Sequence, residues 1–475
     1  MTLMNTDKPT PLKTRGRRHP TAHLHRPHRP WHFRTVVAVV FVVMAASSAP
    51  SPLYGLYQQQ WHFGTATSTI VYACYALGAI LTLLVAGGLA EHLGTQRTIV
   101  VALATIVASF LTFLLATAAW TLCLARLIQG VGVGLLTSSA GSALADLHRD
   151  RSHQAAAAAN SAATSTGIAL GAVFSGLAVQ FAPAPLVTPF VVLAVLSVGG
   201  LALVRAIPAW QTVPERLRPW RPRVLRLGAE PRGILLRVAP IVTASWAVVG
   251  LYLALGVDLV AGLLHTTDRA LSSLVILVVQ GCGGIAPMLL RRLGDRAASV
   301  TGCALLVAGV GVSVIGYDTA HATLFFAGAA ITGAGFGLCF MGSTSTVTAA
   351  AITRDEPQLL SGFFALAYMA VSVPVVVLGA VASRFGVAAA FSWFGLLVAL
   401  LAMVAGAIAV RSGRLESQPG RSGSTAIPRF TAAAEEPMFP GKPCLSPTDR
   451  AVSAGLSQHI GKSAPSDPIF LNSNK

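Results

Sequence analysis

Of the 475 residues, 54% are hydrophobic and only 11% charged, with 34 basic against 17 acidic side chains and a net charge of +17. A soluble domain carries charge on about a quarter of its residues, and a nucleic-acid binder displays its basic residues on polar surface. This chain has neither the charge density nor the polar surface, so its composition excludes both classes and predicts a protein whose solvent is the lipid bilayer.

Taken in chain order, residues 1–34 come first, with His19, His23, His25, His28 and His32 set among arginines and prolines. Such a basic, histidine-rich segment cannot bury a core and reads as a disordered tail; loose metal binding by the histidines is a weaker reading. Residues 35–411 then hold twelve apolar runs of the length that crosses a bilayer. They fall near 35–57, 67–90, 98–118, 121–144, 155–180, 186–205, 236–262, 270–290, 298–317, 322–347, 358–382 and 387–410. Residues 412–475, rich in Ser, Pro and Gly, read as a second disordered tail.

The longest internal break, 206–235, carries Arg216, Arg218, Arg221, Arg223, Arg226 and Arg232 and splits the spans six and six, which predicts a basic cytoplasmic linker between residues 35–205 and 236–411. With a cytoplasmic amino terminus, 16 loop arginines fall inside and two, Arg269 and Arg384, outside. That asymmetry predicts a multi-pass protein of the plasma (inner) membrane with both termini in the cytoplasm. The small residues after the first apolar run also allow a cleaved signal peptide.

Short motifs repeat between the halves. QGVGVGLL from Gln129 returns as TGAGFGLC from Thr332, so Gly130, Gly132 and Gly134 match Gly333, Gly335 and Gly337 at an offset of 203. GLY recurs at Gly55 and Gly250, and LG at Leu93 and Leu293. Echoes in a constant order predict two six-helix bundles related by a pseudo-twofold axis along the membrane normal, with a cavity between them. The repeat also favours a retained first span, since the seventh is its partner.

Several residues point to chemistry. Arg126 lies within an apolar run, where a charge is expensive unless it meets a partner or water. Asp258 is the acidic residue set well within an apolar run of the second half; it is either a titrating carboxylate of a cavity or the outer end of a short span. Asp146, beside His148 and Arg149, reads as a surface residue. Tyr54, Tyr57, Tyr72, Tyr75, Trp246, Tyr252 and Tyr368 offer rings with a polar edge, suited to an amphipathic solute or to anchoring at the membrane interface. Cys74, Cys123, Cys282, Cys303 and Cys339 are scattered through apolar runs with neither zinc nor disulfide spacing, and no metal or cofactor is expected. No lysine lies between Lys13 and Lys442, which excludes an internal GxxxxGK[ST] loop; HExxH and GxSxG are absent, and the chain does not read as an enzyme.

From about Arg34 to Arg411 the chain resembles the major facilitator superfamily. GGLAEHLGTQR from Gly87 to Arg97 is similar to that family's signature loop through Gly87, Leu89, Ala90 and Gly94, with Glu91 for the usual Asp and Arg97 one place late. The depleted basic set implies a weakened gating latch anchored by Glu91. LARLIQGVGVGLL resembles the family's RxxqGxgaa motif through Arg126, Gln129, Gly130, Gly132 and Gly134, whose arginine is associated with proton transfer in related proton-driven exporters. The resemblance implies proton transfer at Arg126, with a structural pin between helices as the other reading. Gly167, Gly171 and Gly176 look like a degenerate exporter fifth-helix motif with Ala172 at the proline place. Pro50 and Pro52, with Ser47, Ser48 and Ser51, resemble a proline-broken first helix. The resemblance implies a monomeric, all-α transporter of twelve transmembrane helices working by alternating access, with a small-molecule substrate, protons and the bilayer as partners and no nucleic acid. Within the family, proton-coupled export of small organic compounds leads, uptake of a metabolite such as an organic acid or sugar is the alternative, and the permease subunit of an ATP-driven pump is the outlier.

Overall fold

The computed structural model describes residues 30–86, 93–148, 153–208, 228–290, 292–354 and 358–416. Among them every regular element is helical. The order is α1 (Pro30–Ser48), one 3-10 turn (Ser51–Leu53), α2 (Tyr54–Trp61), α3 (Thr65–Ala86), α4 (Thr95–Leu114), α5 (Ala119–Leu147), α6 (His153–Phe181) and α7 (Thr188–Ala206). It continues with α8 (Ala229–Leu263), α9 (Arg269–Leu289), α10 (Asp295–Asp318), α11 (Ala322–Arg354), α12 (Gln358–Phe385) and α13 (Val387–Glu416). Counting α1 through α2 as one broken span, twelve helical spans are long and apolar enough to cross a membrane.

Each apolar run falls on its own span, although α4 ends at Leu114, short of the run to 118, residues 87–90 lie outside the described residues, and several helices run past their runs. α1 starts at Pro30, inside the segment read as tail, because a first-turn proline needs no N–H. α8 starts at Ala229 and α13 continues to Glu416. Hydropathy measures only the part of a helix that lipid must cover, and arginines such as Arg232 and Arg411 prolong it at little cost in propensity. Most of both tails, linker residues 209–227 and the loop residues Gly87 and Glu91 lie outside the described residues.

The two sets of six pack alike. In the first, α1 lies on α6, α3 on α5, and α4 on both α5 and α7; in the second, α8 lies on α12, α9 on α11, and α10 on both α11 and α13. The glycine echo is the reason. A Cβ on Gly130 would strike the Tyr75 carbonyl of α3, and one on Gly333 the Val279 carbonyl of α9. Gly132 and Gly335 face α4 and α10 in the same way, and Gly134 and Gly337 return to α3 and α9. Lipid gives no hydrophobic drive to join helices, so backbones approach closely where small residues let dispersion contacts form. His62 and His265, also 203 apart, close the first and seventh spans in the left-handed conformation.

Equivalent loop residues also share a task. Gln96 Nε2 donates to the carbonyls of Val204 and Ile207, both at 2.8 Å, satisfying the end of α7. Arg296, 200 residues on, donates from Nε to the Ala409 carbonyl at 3.0 Å and from Nη2 to that of Val410 near the end of α13. The halves meet along two seams, α3 with α12 and α6 with α9. The outer faces of α7 and α13 leave Val195, Leu196, Trp393 and Leu397 exposed, as suits helices solvated by lipid.

Candidate functional site

The site begins with two prolines. Pro50 has no N–H to give the Ala46 carbonyl, and Pro52 none for Ser48. The α-helical ladder therefore stops at Ala49, whose N–H reaches the Ala45 carbonyl at 3.1 Å, and the chain passes through the 3-10 turn into α2. Side chains from α5 fill the vacancy. Gln129 Nε2 donates to the Ala46 carbonyl at 3.0 Å, and Arg126 Nη1 donates to the Ser47 carbonyl at 2.7 Å. Arg126 and Gln129 are one helical turn apart on one face, and Nη1 also donates to Gln129 Oε1 at 2.7 Å, which fixes the orientation of that amide. Arg126 Nε donates to the Tyr54 hydroxyl at 2.8 Å. On the far side Ser48 Oγ donates to the Ile168 carbonyl of α6 at 2.7 Å.

Arg126 is fully buried, about 10 Å along α5 from its first residue at 1.5 Å per residue. Its Cζ lies 5.5, 5.8 and 5.6 Å from the ring centroids of Tyr54, Tyr72 and Tyr75. Such contacts contribute about 2 kcal/mol each when desolvated. The guanidinium makes no ion pair: among the described residues the one salt bridge is Asp258 with Arg269. Nη2 is buried and has no hydrogen-bond partner.

The tyrosines continue into the second half. Tyr75 meets Tyr368 of α12 at 6.0 Å between centroids, Tyr368 meets Trp246 of α8 at 6.0 Å, and Trp246 meets Phe336 and Phe340 of α11 at 5.8 and 5.7 Å. Trp246 touches all three buried apolar clusters, and although its ring is only half-buried its Nε1 is buried without an acceptor. Five of the seven predicted aromatic residues thus gather at the centre: Tyr54, Tyr72 and Tyr75 around the Arg126 guanidinium, and Tyr368 and Trp246 in line beyond Tyr75. The other two stand apart. Tyr57 packs on Trp61 at 4.9 Å, and Tyr252 is core of the second half, donating to Ser313 Oγ at 2.9 Å with its ring against Phe325 and Phe391.

Asp258 is not part of this cluster. It sits near the end of α8, 29% exposed, and accepts from Nη1 of Arg269, the first residue of α9, at 2.9 Å. A Cβ on Gly55 of α2 would lie 2.5 Å from Arg269 Nη2, so the guanidinium of one half rests on bare backbone of the other. Contacts nearby are equally close: Gly176 faces Ser273 and the Arg269 carbonyl, and Gly379 of α12 faces Thr69 of α3. Gly167 and Gly171 serve a different contact, holding α6 against Phe41 and Ala45 of α1. At this end of the bundle the two halves approach closely. Toward the opposite end Gly141 and Ser142 of α5 and Thr346 of α11 are exposed, and a Cβ on Gly141 would meet nothing within 4 Å. There Gly94, with φ of 83°, leads into α4 in a conformation few side chains allow, and Arg97 is exposed.

Residue patterns did not single out Gln96, Arg296 or the seat of Arg269 on Gly55. Gln96 departs from a motif that expects a basic residue there, and that departure was the available signal.

A sequence profile of the Major Facilitator Superfamily matches residues 36–366. Among solved structures, that of the nucleoside transporter NupG aligns with a TM-score of 0.61 at 11% identity, covering 79% of this chain and 98% of its own. A bacterial homologue of the human lysosomal transporter Spinster, inward-facing and unoccupied, aligns with a TM-score of 0.64 at 12% identity, covering 83% and 100%. No curated protein sequence is a significant match.

Proposed function

We propose, from the premise that this chain belongs to the major facilitator superfamily and is a multi-pass secondary transporter, that it exports small organic solutes from the cell in exchange for protons. The carrying observation is the buried clamp in which Arg126 and Gln129, the residues of the exporter-like motif, hold the broken first span and face the shared chain of aromatic rings. The solute binds along those rings, between the halves, and is exposed to each side in turn.

In this reading the closely packed end, with α2 and the α8–α9 turn, is the outer face, and the termini and basic linker lie in the cytoplasm, as the 16-to-2 arginine asymmetry supports. The protein works as a monomer. Arginine keeps its proton at any accessible pH, so Arg126 acts through its fixed charge. Asp258 is the candidate coupling carboxylate, because loss of its charge would free Arg269 from its seat over Gly55 and loosen the outer seal. At the inner face Glu91, Gly87, Gly94 and Arg97 form the opposing gate.

Accumulation of a labelled compound by intact cells, with and without an uncoupler, tests the direction. Export requires higher accumulation once the proton gradient collapses. Lower accumulation would replace it with uptake of a metabolite.

A further inference from the structure

Arg126 carries a charge that cannot be given up, and its surroundings answer that charge with neutral groups alone: the Tyr54 hydroxyl, the Ser47 carbonyl, the Gln129 amide oxygen and three aromatic faces. A buried cation without a counter-charge is among the least favourable arrangements a protein interior holds. Nη2 is left with no acceptor, and across the ring chain Trp246 Nε1 is left with none either. Both are donors. Between them stand the rings of Tyr75 and Tyr368, packed edge to face at 71°, with Trp246 tilted at 50° to Tyr368. A fixed positive charge, two idle donors and flat apolar surfaces are the complement of one kind of ligand.

We propose that the solutes of this carrier are small organic anions with a flat, apolar body, whose carboxylate or phosphate oxygen accepts from Arg126 Nη2 and supplies the missing counter-charge. The body lies along Tyr75, Tyr368 and Trp246. The inference rests on the reading that a solute binds between the halves, but on neither the direction of transport nor protons.

The experiment is equilibrium binding to the full-length protein in lipid nanodiscs without any gradient. The probes are tritiated naphthylacetate, its uncharged amide naphthylacetamide, and naphthyl phosphate. Naphthylacetate should bind at least about tenfold tighter than the amide, a difference of about 1.4 kcal/mol. The phosphate separates the two oxyanions: binding no weaker than the carboxylate assigns the site to both, and weaker binding to carboxylates. Arg126→Gln should bring acid and amide to equal affinity, with part of the preference returning in Arg126→Lys. Should Arg126→Gln fail to fold, Trp246→Phe keeps the charge and should weaken acid and amide alike, leaving their ratio unchanged. The proposal is overturned if acid and amide bind equally, if none of the anions binds, if the preference survives in Arg126→Gln, or if chloride alone displaces naphthylacetate. That last result would assign the site to a small inorganic ion. Failure of the export reading shows separately, as reversed uncoupler behaviour in cells with the charge preference intact.

Discussion

At the places 203 residues beyond Arg126 and Gln129 the second half carries Ala329 and Thr332. Its counterpart of the broken first span is α8, 35 residues of continuous helix with Pro240 near its start. The glycines that set the distance between helices are repeated in both halves, while the proline break and the buried cation occur in one. The repeat therefore reports on packing, and the departures from it mark where chemistry resides. What the second half contributes to the centre is apolar and aromatic: Trp246, Phe336, Phe340 and Tyr368.

The largest effects should be shared by the two halves. Gly130→Val and Gly333→Val each drive a branched side chain into a facing backbone carbonyl, an overpacking that costs several times the ~1–3 kcal/mol typical of cores. Both variants should lose monodisperse protein on size-exclusion chromatography, and tolerance of either would break the equivalence. Next, the halves should diverge. Arg126→Leu strands the Ser47 carbonyl, Gln129 and Tyr54 at about 1–3 kcal/mol each and should lower liposome flux about 100-fold, whereas Ala329→Gly, which adds no bulk at a fully buried position, should keep it within about threefold, by the rule that about 1.4 kcal/mol is tenfold. Equal losses would mean that Arg126 matters only as packing.

A smaller change is expected at the outer seal. Asp258→Asn removes the charge but keeps the shape, and an exposed pair is worth about 1 kcal/mol or less. Flux should shift about threefold to fivefold, in keeping with that energy. Unchanged flux would remove the Asp258–Arg269 pair from the gating step. Smallest are the helix-end contacts. Gln96→Ala and Arg296→Ala should each lower the melting temperature by about 1 °C, as for a loss of about 1 kcal/mol in a chain of this length. A difference well beyond that between the two would show that the equivalent loops carry unequal loads.

The spans and their pairing are legible in the sequence because lipid imposes length and hydropathy on each helix independently, and because glycine at Gly130 or Gly333 announces a close neighbour without naming it. The centre was half legible. Arg126 in an apolar run demands an explanation, but its one backbone acceptor is the Ser47 carbonyl beside the proline break, in a helix 79 positions away, and no local pattern couples the two. Tyr252 and Tyr75 look alike as residues; only packing places one in the core of the second half and the other on the guanidinium. Asp258 reads equally well as a cavity carboxylate or a helix end, since the deciding partner, Arg269, lies across a turn whose direction hydropathy does not record.

Because hydrogen bonds to main-chain oxygen fasten Arg126 to the first span, that charge travels with the whole of its bundle when the halves rock. On the proposed anion reading, an unloaded carrier reorients with that charge uncompensated and an anion-loaded one with it neutralised. The membrane voltage then acts unequally on the two strokes, and the same clamp that repairs a broken helix makes turnover sensitive to the electric field at about 2.3 kcal/mol per charge for each 100 mV fully traversed.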